Sequence, residues 1–166
     1  MEFRKSKKDD MEDILAIIGQ AQDFFKSQGI DQWQNGYPNY NVIKKDIDND
    51  ESYVIEEDGR ILATSMITFK EQTAYNSIQE GKWLSNGEYA TIHRIAVDNN
   101  YKGYGLATKM MAYIEQLCLD NNIYSIKVDT HAQNVPMQKL LEKRGFVYCG
   151  IVALSDGDRV AFEKLL

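Results

Sequence analysis

The chain has 166 residues, 43% of them hydrophobic, and this length predicts a single domain, residues 1–166, with a substantial core. The 19 basic and 25 acidic side chains give a net charge of -6, which disfavours nucleic acid and anionic membranes as partners. No apolar run approaches the roughly 20 residues that cross a bilayer, and no signal-peptide pattern opens the chain, so we expect a soluble, cytoplasmic protein. Cys118 and Cys149 form no C-x-x-C pair, so we expect no metal site.

The first half of the chain predicts two helices and three strands. EFRKS is a short strand, and the apolar spacing of DDMEDILAIIGQAQDFFKSQG predicts a helix that Gly29 closes. IDQWQNGYPNY is typical of a loop, and YNVIKKDIDND predicts a second helix. SYVIEEDGRILATSMITF predicts a hairpin that turns at Asp58 and Gly59. From Lys70 to Gly87 the pattern indicates an irregular insertion.

The second half predicts a further α/β arrangement. YATIHRIAV has too few polar residues for a solvated face and predicts a central strand, followed by a helix from Leu106. YSIKVDT predicts the next strand, and NVPMQKLLEKRGF a helix that Asn134 caps and Gly145 ends. A final strand pair is predicted for FVYCGIVAL and DRVAFEKLL. The order β-α-α-β-β-β-α-β-α-β-β predicts one mixed sheet with helices on both faces.

Two glycines stand one residue apart in NNYKGYGLATKMM, residues 99–111, between a strand and a helix. A glycine costs roughly 0.5–1 kcal/mol relative to alanine inside an element, so the pair indicates unusual backbone angles or a close approach by a ligand. The stretch does not match the Walker A pattern, because Thr108 stands where that pattern has its second glycine. The dinucleotide fingerprint matches Gly103 and Gly105, with Asp129 as a partner for a ribose, but Thr108 replaces its third glycine.

IHRIAVDNNYKGYGLATKMM resembles the acetyl-coenzyme-A loop of the GNAT superfamily of N-acetyltransferases. The pattern of that loop is Gln or Arg, two residues, Gly, one residue, then Gly or Ala, and it falls on Lys102, Gly105 and Ala107. THAQNVPMQKLLEKRGF is similar to the second motif of the family, and the element order fits over the whole chain. The resemblance implies the α/β (α+β) GNAT fold: a single mixed, mostly antiparallel sheet with a splay between its two central strands.

The resemblance also implies acetyl-CoA as co-substrate. In the family, backbone amides of the loop converge on the pyrophosphate, and the strand before the loop pairs with the pantetheine arm. Carried over by position, Asn134 would hydrogen-bond the pantetheine, although as a helix cap it needs no ligand. The remaining positions that the resemblance assigns to the cofactor are Ile95, Ala96, Val97, Lys102, Gly103, Tyr104, Gly105, Leu106 and Ala107.

Transfer of an acetyl group to an amine needs a group that collects the amine proton. His93 on the central strand, Glu88 at its start and His131 after the next strand are the candidates, and a structural histidine explains His93 equally well. Thr91 stands where several relatives place a glutamate base. Leu141 stands where many relatives have a tyrosine that protonates the leaving thiolate, so the sequence leaves both the base and the acid open.

Trp33 and Tyr37 lie in the polar loop between the first two helices, where the family usually builds the acceptor side of its cleft. Aromatic rings there can hold an organic ammonium by cation–π contact, although packing of the loop explains them equally well. We therefore expect a small cationic amine as acceptor rather than an acidic peptide; a peptide amine and a homodimer stay open. The alternative function is a non-catalytic acyl-CoA-binding sensor or partner module.

Overall fold

The computed structural model describes all 166 residues. No helix in it is both long enough and apolar enough to cross a membrane. The order of elements is the predicted one, with short 3-10 turns at Lys8–Asp10, Thr73–Ser77 and Asn99–Tyr101. In chain order the elements are β1 (Glu2–Lys5), α1 (Met11–Ser27), α2 (Tyr40–Asp48), β2 (Ser52–Glu57), β3 (Arg60–Thr68), β4 (Ala90–Val97), α3 (Leu106–Asp120), β5 (Ser125–Thr130), α4 (Val135–Lys143), β6 (Val147–Leu154) and β7 (Gly157–Leu165).

The seven strands form one sheet in the order β1-β2-β3-β4-β5-β7-β6. Antiparallel pairing joins β1 to β2, β2 to β3, β5 to β7 and β6 to β7. The pairing of β4 with β5 is parallel and joins Ala90 to Ile126 and Thr91 to Lys127. The mixed, mostly antiparallel sheet is confirmed, and the short parallel pairing agrees with the predicted splay of the central strands.

By their internal contacts the residues group into two compact units. The first contains Met1–Ile67 and His93–Tyr113. Helix α2 begins at a side-chain cap, where Asn39 accepts a hydrogen bond of 3.1 Å from the Val42 amide. The apolar stripes of α1 and α2 meet strand residues in one core cluster, whose buried members are Ile14, Ile17, Ile18, Ile43, Ile47, Val54, Ile61 and Ala96.

The second unit contains Thr68–Ile92 and Ile114–Leu166. Residues 69–89, called the insertion segment here, include the predicted irregular stretch from Lys70 to Gly87. They are mostly irregular, and backbone hydrogen bonds attach them to the strands. Gln79 and Ile151 exchange two backbone hydrogen bonds of 2.8 Å each. The segment also supplies rings to a second core cluster, in which Tyr75 and Tyr89 are buried with β6 and β7 residues and Trp83 packs against them.

Glycines permit the close contact between the insertion segment and β6. A Cβ atom on Gly81 would overlap the carbonyl oxygen of Cys149, and one on Gly150 would overlap the carbonyl oxygen of Gln79. Both overlaps are with backbone, which cannot move aside as a side chain can. The contact between these two stretches of backbone therefore depends on both glycines.

Candidate active site

The glycine loop connects β4 to α3 within the first unit. Gly103 and Gly105 have φ angles of 85° and 72°, the left-handed region that side chains other than glycine rarely adopt. A Cβ atom at either position would meet nothing within 4 Å. The conformation of the loop, rather than crowding inside the protein, is therefore what requires these glycines, and open space lies beside each of them.

Helix α3 presents unpaired amides directly after the loop. The Lys109 amide donates to the Gly105 carbonyl at 3.0 Å, which is the first hydrogen bond of the helix. The amides of Leu106, Ala107 and Thr108 precede that bond, so helix geometry gives them no partner within α3. With the positive end of the helix dipole, these amides form a place where an anion is stabilised.

Two side chains of the glycine loop differ in their surroundings. The Lys102 ammonium lies 4.7 Å from the centre of the Phe24 ring, so a cation–π contact with α1 holds it beside the loop. Tyr104 is 70% exposed and its ring centre lies 6.3 Å from that of Tyr101. Both side chains are exposed, and of the two it is Lys102 that contacts another helix.

Strand β4 carries His93 and Arg94 next to each other. Burial, followed by the positive charge of Arg94, lowers the pKa of His93 to about 4, so this imidazole is neutral at pH 7 and can accept a proton. Arg94 has a φ angle of 51°, a strained conformation for a residue with a side chain. The guanidinium donates two hydrogen bonds of 2.7 Å to the Asp46 carboxylate, which fixes Arg94 in place.

Trp33 and Tyr37 both contact the chain itself. Trp33 is partly buried, packs edge-on against Phe25 with 5.5 Å between ring centres, and lies against the first core cluster. The Tyr37 hydroxyl accepts a hydrogen bond of 2.6 Å from Arg94, whose guanidinium also lies 5.9 Å from the centre of the Tyr37 ring. The loop between α1 and α2 is thus held by its aromatic rings, and an acceptor-binding role for them stays a prediction.

The predicted residues of the second unit lie on and around β4, β5 and α4. Asn134 is buried and caps α4, accepting a hydrogen bond of 3.2 Å from the Met137 amide. His131 accepts a hydrogen bond of 3.1 Å at Nδ1 from the Gln133 amide, and Glu88 is exposed within the insertion segment. Leu141 has no exposed surface, so the position of the family's tyrosine is part of the core here. Thr91 is fully buried and its hydroxyl has no hydrogen-bond partner.

Asp129 is engaged by a residue that the sequence does not place near it. The Tyr75 hydroxyl donates a short hydrogen bond to the Asp129 carboxylate. Burial raises the pKa of Asp129 although this hydrogen bond opposes the shift, and burial also raises the pKa of Tyr75 well above its ordinary value. A carboxylate in this environment anchors the insertion segment to β5, which removes the ribose-binding role considered for it.

Lys127 on β5 is the site residue that sequence reasoning missed. Its side chain is 4% exposed, and its ammonium lies 4.3 Å and 4.7 Å from the ring centres of Tyr89 and Trp83. A signal was available, since YSIKVDT places Ser125, Lys127 and Asp129 on one face of a strand whose other face is apolar. No group of three or more His, Cys, Asp or Glu side chains is arranged to hold a metal ion.

Comparison with known proteins agrees with this architecture. A model of the acetyltransferase (GNAT) family matches residues 18–146. A crystal structure of a GNAT-family acetyltransferase from Streptococcus agalactiae 2603 superposes with a TM-score of 0.90 at 36% identity, covering 99% of this chain and 95% of the other. The chain belongs to the GNAT acetyltransferase family and is an N-acetyltransferase by that membership.

Two curated relatives come from Bacillus subtilis (strain 168). The S-(2-succino)cysteine N-acetyltransferase is 25% identical over 98% of this chain and 93% of its own length. The S-alkylcysteine N-acetyltransferase is 22% identical over 87% of this chain and 77% of its own length. Both relatives are named for acetylation of a small molecule that carries an amine.

Proposed function

We propose that this chain forms a single N-acetyltransferase domain, residues 1–166, that transfers the acetyl group of acetyl-CoA to the primary amine of a small molecule by direct attack. The observation that carries the proposal is the glycine loop followed by the first turn of α3. Its two left-handed glycines leave open space beside amides that stabilise an anion. Coenzyme A has such an anion in its pyrophosphate, and the family generally uses acetyl-CoA.

Each part of the cofactor has a proposed partner in this chain. The amides from Gly103 to Ala107 bind the pyrophosphate, with Lys102 beside them and Tyr104 on the solvent side. The backbone of Ile95, Ala96 and Val97 pairs with the pantetheine arm as an added strand would. These residues lie outside the β4–β5 register, which ends at Thr91 and Lys127. Asn134 contacts the pantetheine while it continues to cap α4.

His93 is the proposed base, and its low pKa limits when it acts. Moving a proton from an alkylammonium with a pKa near 10 to an imidazole with a pKa of about 4 is unfavourable by about 8 kcal/mol. Attack of the amine on the thioester makes the same nitrogen far more acidic. His93 therefore accepts the proton from the tetrahedral intermediate, after a neutral amine has attacked. Glu88 and His131 are the alternative bases.

The departing thiolate has no tyrosine at position 141, since Leu141 is buried in the core. A thiolate with a conjugate-acid pKa near 8.5 can leave without a general acid, because the cost at pH 7 is small beside the whole barrier. Solvent then protonates the product. The absence of this acid is also the observation that favours the alternative function, a non-catalytic acyl-CoA-binding module.

The proposed acceptor is a small amine that is cationic at neutral pH, rather than an acidic peptide. The names of both Bacillus subtilis relatives support a small molecule. The net charge of -6 favours a cation, and Trp33 and Tyr37 are the proposed aromatic contacts for its ammonium.

The cofactor assignment is tested by substituting one glycine and comparing it with a matched control. Acetyl-CoA at a hundredfold excess over its Kd stabilises the native state by about 2.7 kcal/mol, which raises Tm by roughly 5–10 °C. Gly105→Val should abolish this rise. Gly29→Val is the control, because Gly29 also has a left-handed φ, 68°, and also has nothing within 4 Å of its Cβ position.

Both variants should lose a similar amount of intrinsic stability, about 1–2 kcal/mol, from backbone strain. Gly29→Val should nevertheless keep the full rise in Tm with acetyl-CoA. An undiminished rise in Gly105→Val would show that the loop does not hold the cofactor. A tight complex with NADH instead of acetyl-CoA would restore the dinucleotide interpretation.

A further inference from the structure

A large open cavity lies within the second unit. Its volume is about 1150 Å³, and it is lined by the insertion segment together with Lys127 from β5. Trp83, Tyr89 and Tyr75 contribute aromatic walls. The hydrogen bonds between Gln79 and Ile151 fix the segment against β6, so the cavity has a defined shape.

The ammonium of Lys127 is the buried charge that lines this cavity. The other charged lining residues, Glu71, Lys82 and Glu88, are exposed, so solvent weakens their interaction with anything in the cavity. Lys127 donates one hydrogen bond, 3.2 Å long, to the Ser85 carbonyl. An ammonium has three donors, so this bond leaves two of them to face the rings or the cavity.

The carboxylate of Glu163 lies opposite Lys127 without forming a direct ion pair with it. Glu163 is the register partner of Lys127 on β7 and is fully buried. Its oxygens already accept hydrogen bonds from the Leu84 amide at 2.8 Å, from the Ser85 amide and hydroxyl, and from the Ser125 hydroxyl at 2.7 Å. Burial lowers the pKa of Lys127 despite the opposing charge of Glu163. The cavity therefore contains a cation that lacks a contacting anion.

A second polar group lies beside this cation. Thr91 is the register partner of Lys127 on β4, and register partners place their side chains on the same face of a sheet. The Thr91 hydroxyl is buried and has no hydrogen-bond partner within the chain. Thr91 has no exposed surface and does not line the cavity, so of these two groups Lys127 is the donor that a ligand in the cavity can reach.

We propose that Lys127 binds the α-carboxylate of the acceptor, and that the acceptor is therefore an α-amino acid with an apolar or thioether side chain lying against Trp83 and Tyr75. This inference rests on the proposed acetyltransferase function and changes its acceptor from a net cation to a zwitterion, whose ammonium is still cationic at neutral pH. Both named substrate classes of the Bacillus subtilis relatives are cysteine derivatives, which carry a carboxylate next to the amine. The aromatic walls suit a side chain of that kind.

Paired probes that differ only in the carboxylate test the inference. The full chain is assayed for release of coenzyme A from saturating acetyl-CoA with S-methyl-L-cysteine, L-methionine, and their decarboxylated counterparts 2-(methylthio)ethylamine and 3-(methylthio)propylamine. Binding of the same four probes is measured separately by calorimetry. Lys127→Met keeps the aliphatic stem between the rings and removes the charge, and Lys127→Arg restores a cation.

Lys164→Met is the matched control, because Lys164 lies on β7 opposite Ile126 and so faces the other side of the sheet. We expect Lys127→Met to weaken binding and raise KM for the amino acids at least tenfold, with less than a twofold change for the decarboxylated amines and for acetyl-CoA. Lys127→Arg should recover part of the lost affinity for the amino acids. Lys164→Met should bind and acetylate them as the unmodified chain does.

Equal effects on amino acids and amines, or no preference for a carboxylate in the unmodified chain, would overturn the inference. Acetylation of the amines without a preference for a carboxylate would support the proposed acetyltransferase function and contradict the carboxylate site. Binding of amino acids that depends on Lys127, without acetylation of any probe, would support the carboxylate site and contradict the proposed function.

Discussion

Arg94 and Lys127 are both buried cations on central strands, and their surroundings differ. In the first unit, Arg94 donates twice to Asp46 and once to Tyr37, so its charge is neutralised within the chain. In the second unit, Lys127 contacts two ring faces and one carbonyl, while Glu163 is engaged by other donors. A cation that is neutralised within the chain is suited to holding backbone in place. A buried cation without a contacting anion is suited to binding an anionic ligand.

The largest expected effect comes from breaking the neutralised pair. Asp46→Ala should lower the free energy of unfolding by about 3–5 kcal/mol, because it leaves the largely enclosed Arg94 charge without an anionic partner. Urea denaturation measures the loss. Asp48→Ala is the matched control on the same helix, since its ion pair with Lys44 is exposed and screened by solvent and should contribute little to stability. Equal losses in the two variants would mean that Arg94 does not depend on Asp46.

The charge of Arg94 also influences its neighbour His93. The folded-state pKa of His93, about 4, lies below its ordinary value of 6.5, so the unfolded chain binds this proton more tightly. Stability should therefore fall as pH falls from 6.5 to 4, by about 1–3 kcal/mol after allowance for partial exposure. His93→Ala should flatten this part of the stability profile. An unchanged slope would show that the imidazole is not desolvated.

Catalysis gives a separate test of the same residue. If His93 collects the proton, His93→Ala should lower kcat/KM by about 10²–10⁴. Activity requires the neutral imidazole. In the profile of kcat/KM against pH, the acidic limb that His93 controls should therefore lie near pH 4. A loss smaller than threefold in kcat/KM would assign His93 a structural role and leave Glu88 or His131 as the base.

Lys127 should show a pH dependence of stability with the same sign as that of His93, at higher pH. Burial lowers its pKa from 10.5, with Glu163 and Cys149 opposing the shift, so above neutral pH the folded chain releases this proton before the unfolded chain does. The stability of the unmodified chain relative to Lys127→Met should therefore increase as pH rises toward 10.5. Parallel stability profiles for the two proteins would show that Lys127 is solvated like a surface lysine.

The smallest expected effect concerns the aromatic contact proposed for the acceptor ammonium. Trp33→Ala should raise KM for the amine by roughly 2–30-fold, the equivalent of about 0.5–2 kcal/mol, while acetyl-CoA affinity changes less than twofold. Initial velocities at varied amine and fixed acetyl-CoA give this comparison. Equal losses for both ligands, or lower thermal stability alone, would show that Trp33 only packs the loop against α1.

The fold was predictable because its signals are local. The apolar spacing of α1 and α3, the Asn134 cap and the glycine pair each reflect neighbours within one element, and the order of elements was confirmed. The contacts of Lys127 were not predictable in the same way. They join Lys127 to residues from 38 to 44 positions away in the sequence, in a segment without periodicity, so no single stretch of sequence indicates them. The pairing of Asp46 with Arg94, 48 positions apart, escaped prediction for the same reason.

Direct detection of the product tests the central claim. The purified chain is incubated with acetyl-CoA and the four amine probes, and N-acetylated products and released coenzyme A are quantified together by mass spectrometry. We predict equal amounts of coenzyme A and N-acetyl product, with no acetyl group left on the enzyme, as direct attack requires. Binding of acetyl-CoA without acetylation of any amine would contradict the account and support the sensor module, and a covalent acetyl-enzyme on the reaction path would contradict direct transfer.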